Sequence, residues 1–101
     1  MLLALLTMVG CEPVTYDVFA TICGTVVDSE TMEPIEGVSV ILSLSGKNAV
    51  TKADGRFEFA ELDAVQYTIT AQKLGYSTNR KLVNTIAGET VETTITMEVK
   101  K

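Results

Sequence analysis

The stretch EGVSVILSLSGKNAVTKADGRFEF, residues 36–59, decides the fold. Within it Val38, Val40, Leu42 and Leu44 alternate with Ser39, Ile41, Ser43 and Ser45, the period of two that a pleated strand with one buried face requires. Gly46-Lys47-Asn48 predicts a turn and residues 49–52 a short strand. Asp54-Gly55 predicts a tight hairpin, because both residues tolerate positive φ, and Phe57 and Phe59 return on one face beyond it. A sheet with one apolar face needs a second apolar layer over it, so the rest of the chain must supply that layer.

Upstream, residues 18–28 (VFATICGTVVD) are rich in β-branched side chains and place Ile22, Gly24 and Val26 in one phase, with Cys23 and Thr25 on a partly exposed opposite phase. Downstream, residues 60–66 predict a connector, residues 67–71 (YTITA) a strand, and Gly75-Tyr76 a bend. Residues 82–86, and the run that carries Val91, Thr93, Ile95, Met97 and Val99 in phase, add two strands around Ala87-Gly88-Glu89. No segment shows a helical period. The expected fold is all-β, an antiparallel β-sandwich of about seven strands.

The totals narrow the function classes. With 101 residues there is room for one core, and 47% hydrophobic against 21% charged residues argues against disorder. A net charge of −5 opposes binding to phosphate backbones, so nucleic acid is not an expected partner. The chain has no histidine, which removes the commonest general base, metal ligand and activator of a serine or cysteine nucleophile. No enzyme and no cofactor are expected.

Residues 1–10 (MLLALLTMVG) form an uncharged apolar run, half the roughly 20 residues that a membrane-spanning helix needs and the length of an export signal's core. Met8-Val9-Gly10-Cys11 resembles the lipobox of bacterial lipoproteins, in which the chain is cut before a lipidated cysteine. That resemblance implies a signal segment at 1–10, lipidation of Cys11, a tether at 11–17 and a domain at 18–101. It also implies a mature chain of 91 residues (101 − 10) lipid-anchored to the cell envelope, in the outer membrane of a Gram-negative bacterium. Cys23 is then a free thiol filling a strand; a Cys11–Cys23 disulfide is the alternative if the signal reading is wrong. Residues 29–37, with Asp28 before them, are the most acidic segment. Asp28, Glu30 and Glu33 are weak calcium candidates, but their spacing does not match an EF-hand loop and a solvated turn is expected.

Taken together, Ile22-Cys23-Gly24-Thr25-Val26-Val27-Asp28, Pro34-Ile35-Glu36-Gly37-Val38, Thr51-Lys52-Ala53-Asp54-Gly55-Arg56-Phe57, Leu62 with Tyr67, and Gly75-Tyr76 resemble the carboxypeptidase regulatory-like family over residues 21–99. The resemblance implies a transthyretin-like, seven-stranded, noncatalytic sandwich of the kind found beside peptidase domains, ahead of outer-membrane transporter plugs, or alone in surface lipoproteins. Its structural signature here is Gly24, Gly37, Asp54, Gly55, Phe57, Tyr67, Gly75 and Tyr76. Met32, Lys52 and Val65 stand where the family commonly has glycine, aspartate and glycine. The lysine-to-asparagine isopeptide bond of the related collagen-binding B-type repeat is not expected, since residues 18–28 hold no lysine and residues 89–101 no asparagine.

The expected role is an accessory module that binds an envelope protein by a sheet edge or loop tip. Carbohydrate binding is the alternative, with Tyr76 and Tyr16 as the aromatic platforms for a glycan. A third reading is a structural spacer.

Overall fold

Strand β1 (Ala20–Asp28) is the centre of the first of two sheets. The computed structural model describes residues 18–100. They form seven strands: β1, β2 (Ser39–Leu42), β3 (Asn48–Val50), β4 (Arg56–Leu62), β5 (Gln66–Gln72), β6 (Asn79–Asn84) and β7 (Thr90–Met97). One sheet has the order β4-β1-β7, the other β3-β2-β5-β6. The inward phases of both sheets meet in a core that includes Ile22, Val40, Phe57, Phe59, Ile69 and Ile95, each no more than 4% exposed. Burying such a side chain stabilises by about 1.5–3 kcal/mol, which is why the period of two sets the architecture.

Every paired neighbour is antiparallel except one. β7 runs parallel to β1, from Thr21 opposite Thr90 to Asp28 opposite Met97. A hairpin forces adjacent strands to oppose, whereas β1 and β7 are joined by the whole intervening domain, and a connection that long leaves the direction open. β1 against β4 shows a bulge: Ile22 faces Phe59 and Ala20 faces Leu62, so one extra residue is taken up on β4, where Glu61 has φ +58°.

Two glycines are required by close approach. A Cβ on Gly24 would lie 2.8 Å from Cζ of Phe57 and against the Thr93 carbonyl oxygen. Gly55 has φ +74° and accepts the Val26 N–H at 2.8 Å, and a Cβ there would sit 2.7 Å from the Val26 oxygen. Gly55 N–H also donates to Lys52 and Lys52 N–H to Arg56, so the Asp54-Gly55 hairpin is a three-residue turn ending in a left-handed glycine. Thr51 binds the acidic loop to the core: its buried hydroxyl donates to the Ile35 carbonyl at 2.7 Å and accepts from Val38 N–H at 2.9 Å.

The strand limits shift from those expected. β2 stops at Leu42, and Leu44, placed on the core face by the alternation, is 82% exposed with φ +70° in the following turn. β4 runs on to Leu62 and shortens the expected connector, and β6 begins at Asn79, leaving Ile86 in the next loop. Cys23, expected to be partly exposed, is buried, and so is Thr21, so both phases of β1 are covered.

Candidate functional site

Among the sequence-predicted site residues, Cys11 and Tyr16 lie outside the described residues. Tyr76 is half-buried and packs against the core, and its backbone bridges to Val99. The acidic loop spends one of its carboxylates on its own turn, Asp28 Oδ1 accepting from Glu30 N–H at 2.8 Å and Thr31 N–H at 3.2 Å. Among the described residues no three acidic or cysteine side chains converge to hold a metal. Cys23 is disulfide-bonded, not the free thiol that lipidation of Cys11 predicts.

On the outer surface of the first sheet Arg56 lies across β1. Its guanidinium donates to Thr25 Oγ1 at 3.0 Å, approaches Cys23 Sγ at 3.9 Å and pairs with Glu92 Oε2 at 3.1 Å. The outer surface of the second sheet carries Ser39, Ile41, Asn48, Val50, Thr68, Thr70 and Leu82, with Arg80 as its one charge.

The two sides of the sandwich differ. Where β6 faces β7, Lys81 and Asn79 occupy the inward phase of β6 and reach across the gap: Lys81 Nζ donates to the Thr94 carbonyl at 3.0 Å and Asn79 Nδ2 to the Thr96 carbonyl at 2.6 Å. Ser77 N–H to Glu98 and Lys100 N–H to Gly75 extend the seam. A shallow polar cleft of about 220 Å³ beside it is lined by Ser77, Thr78, Asn79, Thr96 and Glu98. Where β3 faces β4, the backbone hydrogen bond among the described residues is the one at their turn, from Lys52 N–H to the Arg56 carbonyl.

A larger cleft of about 480 Å³ opens on that side, between the β2–β3 and β4–β5 turns. Leu44, Lys47, Glu61, Asp63 and Val65 form its rim, and Leu62 and Tyr67 its apolar floor. Two of these, Leu44 and Glu61, hold left-handed backbone conformations without being glycine, a strain that tends to gather at binding and switch sites. Tyr67 hydroxyl donates to the Asp63 carbonyl at 2.8 Å, and Thr85 Oγ1 donates to the Val65 carbonyl at 2.7 Å, fixing the turn from below. Burial pushes the Tyr67 phenol above its ordinary range; the Asp63 carboxylate adds to the rise and the backbone hydrogen bond opposes it. A neutral phenol that donates to a carbonyl positions a loop. The cleft escaped the sequence reading because neither Leu44 nor Glu61 is a residue type that signals positive φ.

The profile of the carboxypeptidase regulatory-like domain matches residues 21–98. No curated protein matches the chain. Among solved structures, the Bacillus anthracis TIE protein superposes with a TM-score of 0.71 at 19% identity, over 81% of this chain and 17% of that one. A chain of the type II Cohesin-X-Dockerin complex from Acetivibrio cellulolyticus gives 0.63 at 28% identity, over 79% and 58%. The Klebsiella pneumoniae 5-hydroxyisourate hydrolase gives 0.62 at 24% identity, over 81% of this chain and 92% of that one. The chain therefore spans only part of the first two, and an enzyme as well as parts of larger proteins share its fold.

Proposed function

Because the chain belongs to the carboxypeptidase regulatory-like family, we propose that it is a noncatalytic module of the bacterial cell envelope that binds another protein. The observation that carries this reading is the asymmetry of the sandwich: one side is closed by Lys81 and Asn79, and the other leaves strand edges beside a cleft. Unpaired strand edges recognise extended polypeptide through main-chain hydrogen bonds. The similarity to a chain of a Cohesin-X-Dockerin complex supports a protein-facing role. Carbohydrate binding has less support, since Tyr76 is half-buried. Cross-linking from the full chain in cells of an exporting bacterium should return one envelope protein reproducibly; adducts of glycan alone would overturn the reading.

Residues 1–17 bring the module to its membrane in this proposal, with a cut before Cys11 and lipid on its sulfur, a form of the protein in which Cys23 is a thiol and not the half of a disulfide that the structure has. A lipid thioether on Cys11 and a disulfide from it to Cys23 exclude each other, because each consumes the same sulfur. Both chemistries belong to exported proteins. Intact-mass analysis separates them: an acylated chain of 91 residues (101 − 10) supports the anchor, and an unacylated chain keeping Met1 removes it.

A further inference from the structure

We infer that the gap between β3 and β4 is an acceptor slot into which an extended, basic segment of a partner protein adds as a strand. This rests on the protein-binding reading above and specifies its place and chemistry. Lys47 carbonyl accepts from Leu42 N–H at 2.9 Å and Thr51 N–H donates to Val38 at 3.0 Å, so residues 47, 49 and 51 turn their backbone groups toward β2. Alternation sends those of Asn48 and Val50 outward. On β4, Gly55 carbonyl accepts from Val26, so residues 55, 57 and 59 face β1 and the backbone groups of Glu58 and Ala60 face away.

β3 and β4 are consecutive, yet they bond to each other only at the turn, where Lys52 N–H donates to Arg56 at 3.4 Å. Beyond it they part into different sheets. The amides and carbonyls of Asn48 and Val50 on one wall, and of Glu58 and Ala60 on the other, then have no backbone partner among the described residues. The bulge at Glu61 ends the slot at the larger cleft, whose floor of Leu62 and Tyr67 suits an apolar side chain.

Charge selects the occupant. Arg56, at the Lys52–Arg56 turn, is paired with Glu92. Away from that turn, Glu58, Glu61 and Asp63 against Lys47 give the slot and its cleft a net −2 (−3 + 1), within a chain of net −5. A basic strand meets attraction there, whereas a second copy of this chain paired β4 to β4 sets Glu58 against Glu58, and like charges directly opposite destabilise a strand pair.

The test selects random displayed peptides of about nine residues, the length of a long strand, on the full chain, then measures the best one by calorimetry and amide hydrogen exchange. Expected are peptides alternating Lys or Arg with apolar residues, slowed exchange at Asn48, Val50, Glu58 and Ala60, and binding that weakens with salt. Ala60→Pro removes an outward donor, so it should weaken binding about tenfold or more while leaving the fold intact. Val50→Pro does the same from the opposite wall if Ala60→Pro does not fold, and Glu58→Lys should weaken basic peptides about three- to tenfold. Unchanged affinity in these variants, selected peptides without basic residues, or a dimer of this chain abolished by Ala60→Pro would overturn the slot. Peptides that bind and protect residues 29–37 instead remove the slot but leave protein binding standing; no binder, together with empty cross-linking, removes both.

Discussion

Met32 holds φ +63° in the loop after β1, with its N–H donating to the Asp28 carbonyl at 2.8 Å and its side chain 60% exposed. The family commonly has glycine there, and the reason is now physical: the left-handed conformation costs a residue with a Cβ about 1–2 kcal/mol. Part of that returns as the extra unfolded-state entropy of glycine. Met32→Gly should therefore stabilise by about 0.5–1 kcal/mol, raising the melting temperature by a few degrees, whereas a lower melting point would mean that the thioether side chain packs more than its exposure suggests. Val65, the other position where glycine is usual, carries no positive φ, so no such gain is expected there. Tyr67 makes a different prediction. A phenol raised by burial stabilises the fold while it is neutral, at every pH below its ordinary range, and loses that contribution as pH rises through the folded-state value. Melting temperature should fall steeply from about pH 9.5 upward, around the phenol's ordinary value near 10, and Tyr67→Phe should fall less over the same interval. Parallel curves for the two proteins would place the alkaline loss elsewhere.

At the scale of strands, the inward phase was legible in β2, β4, β5 and β7, where Val40, Phe57, Tyr67 and Ile95 are buried as their alternation requires, but not in β1, whose two phases are both covered, nor in β6, where Val83 is buried and Leu82 exposed. The ends were not legible either. Asn79, Arg80 and Lys81 precede the apolar part of β6 and carry no strand signature, yet they pair with Ala71, Thr70 and Ile69. The parallel partner of β1 was equally hidden, since register between chain ends is set by the packed core and not by any turn. The seam of Lys81 and Asn79 is an edge guard: an inward-phase lysine on an edge strand makes pairing with another chain unfavourable. Asn79→Ala combined with Lys81→Ala should cost no more than about 1–2 kcal/mol, two modest hydrogen bonds, but should raise self-association in sedimentation measurements as the Thr94 and Thr96 carbonyls lose their partners. A double variant that stays monomeric at high concentration would show that the seam serves stability alone.

At the scale of the molecule, the central sheet cannot exist until the two ends of the domain meet. Thr21 pairs with Thr90, so 69 residues (90 − 21) must be gathered before the β1–β7 ladder contributes anything. By contrast β2 pairs with β3, and β5 with β6, across short turns. Loop-closure entropy precedes the reward for distant pairs, and folds dominated by such pairs complete folding in about milliseconds to seconds. The second sheet should accordingly be part-formed in the transition state while β7 docks afterwards. Ile95→Val in β7, expected to cost about 0.5–1.5 kcal/mol, should then act almost wholly on the unfolding rate. Val40→Ala in β2 should slow folding as well. Stopped-flow chevrons of both variants decide it, and the opposite partition would mean that the parallel ladder, and not the local meander, is where this sandwich begins to fold.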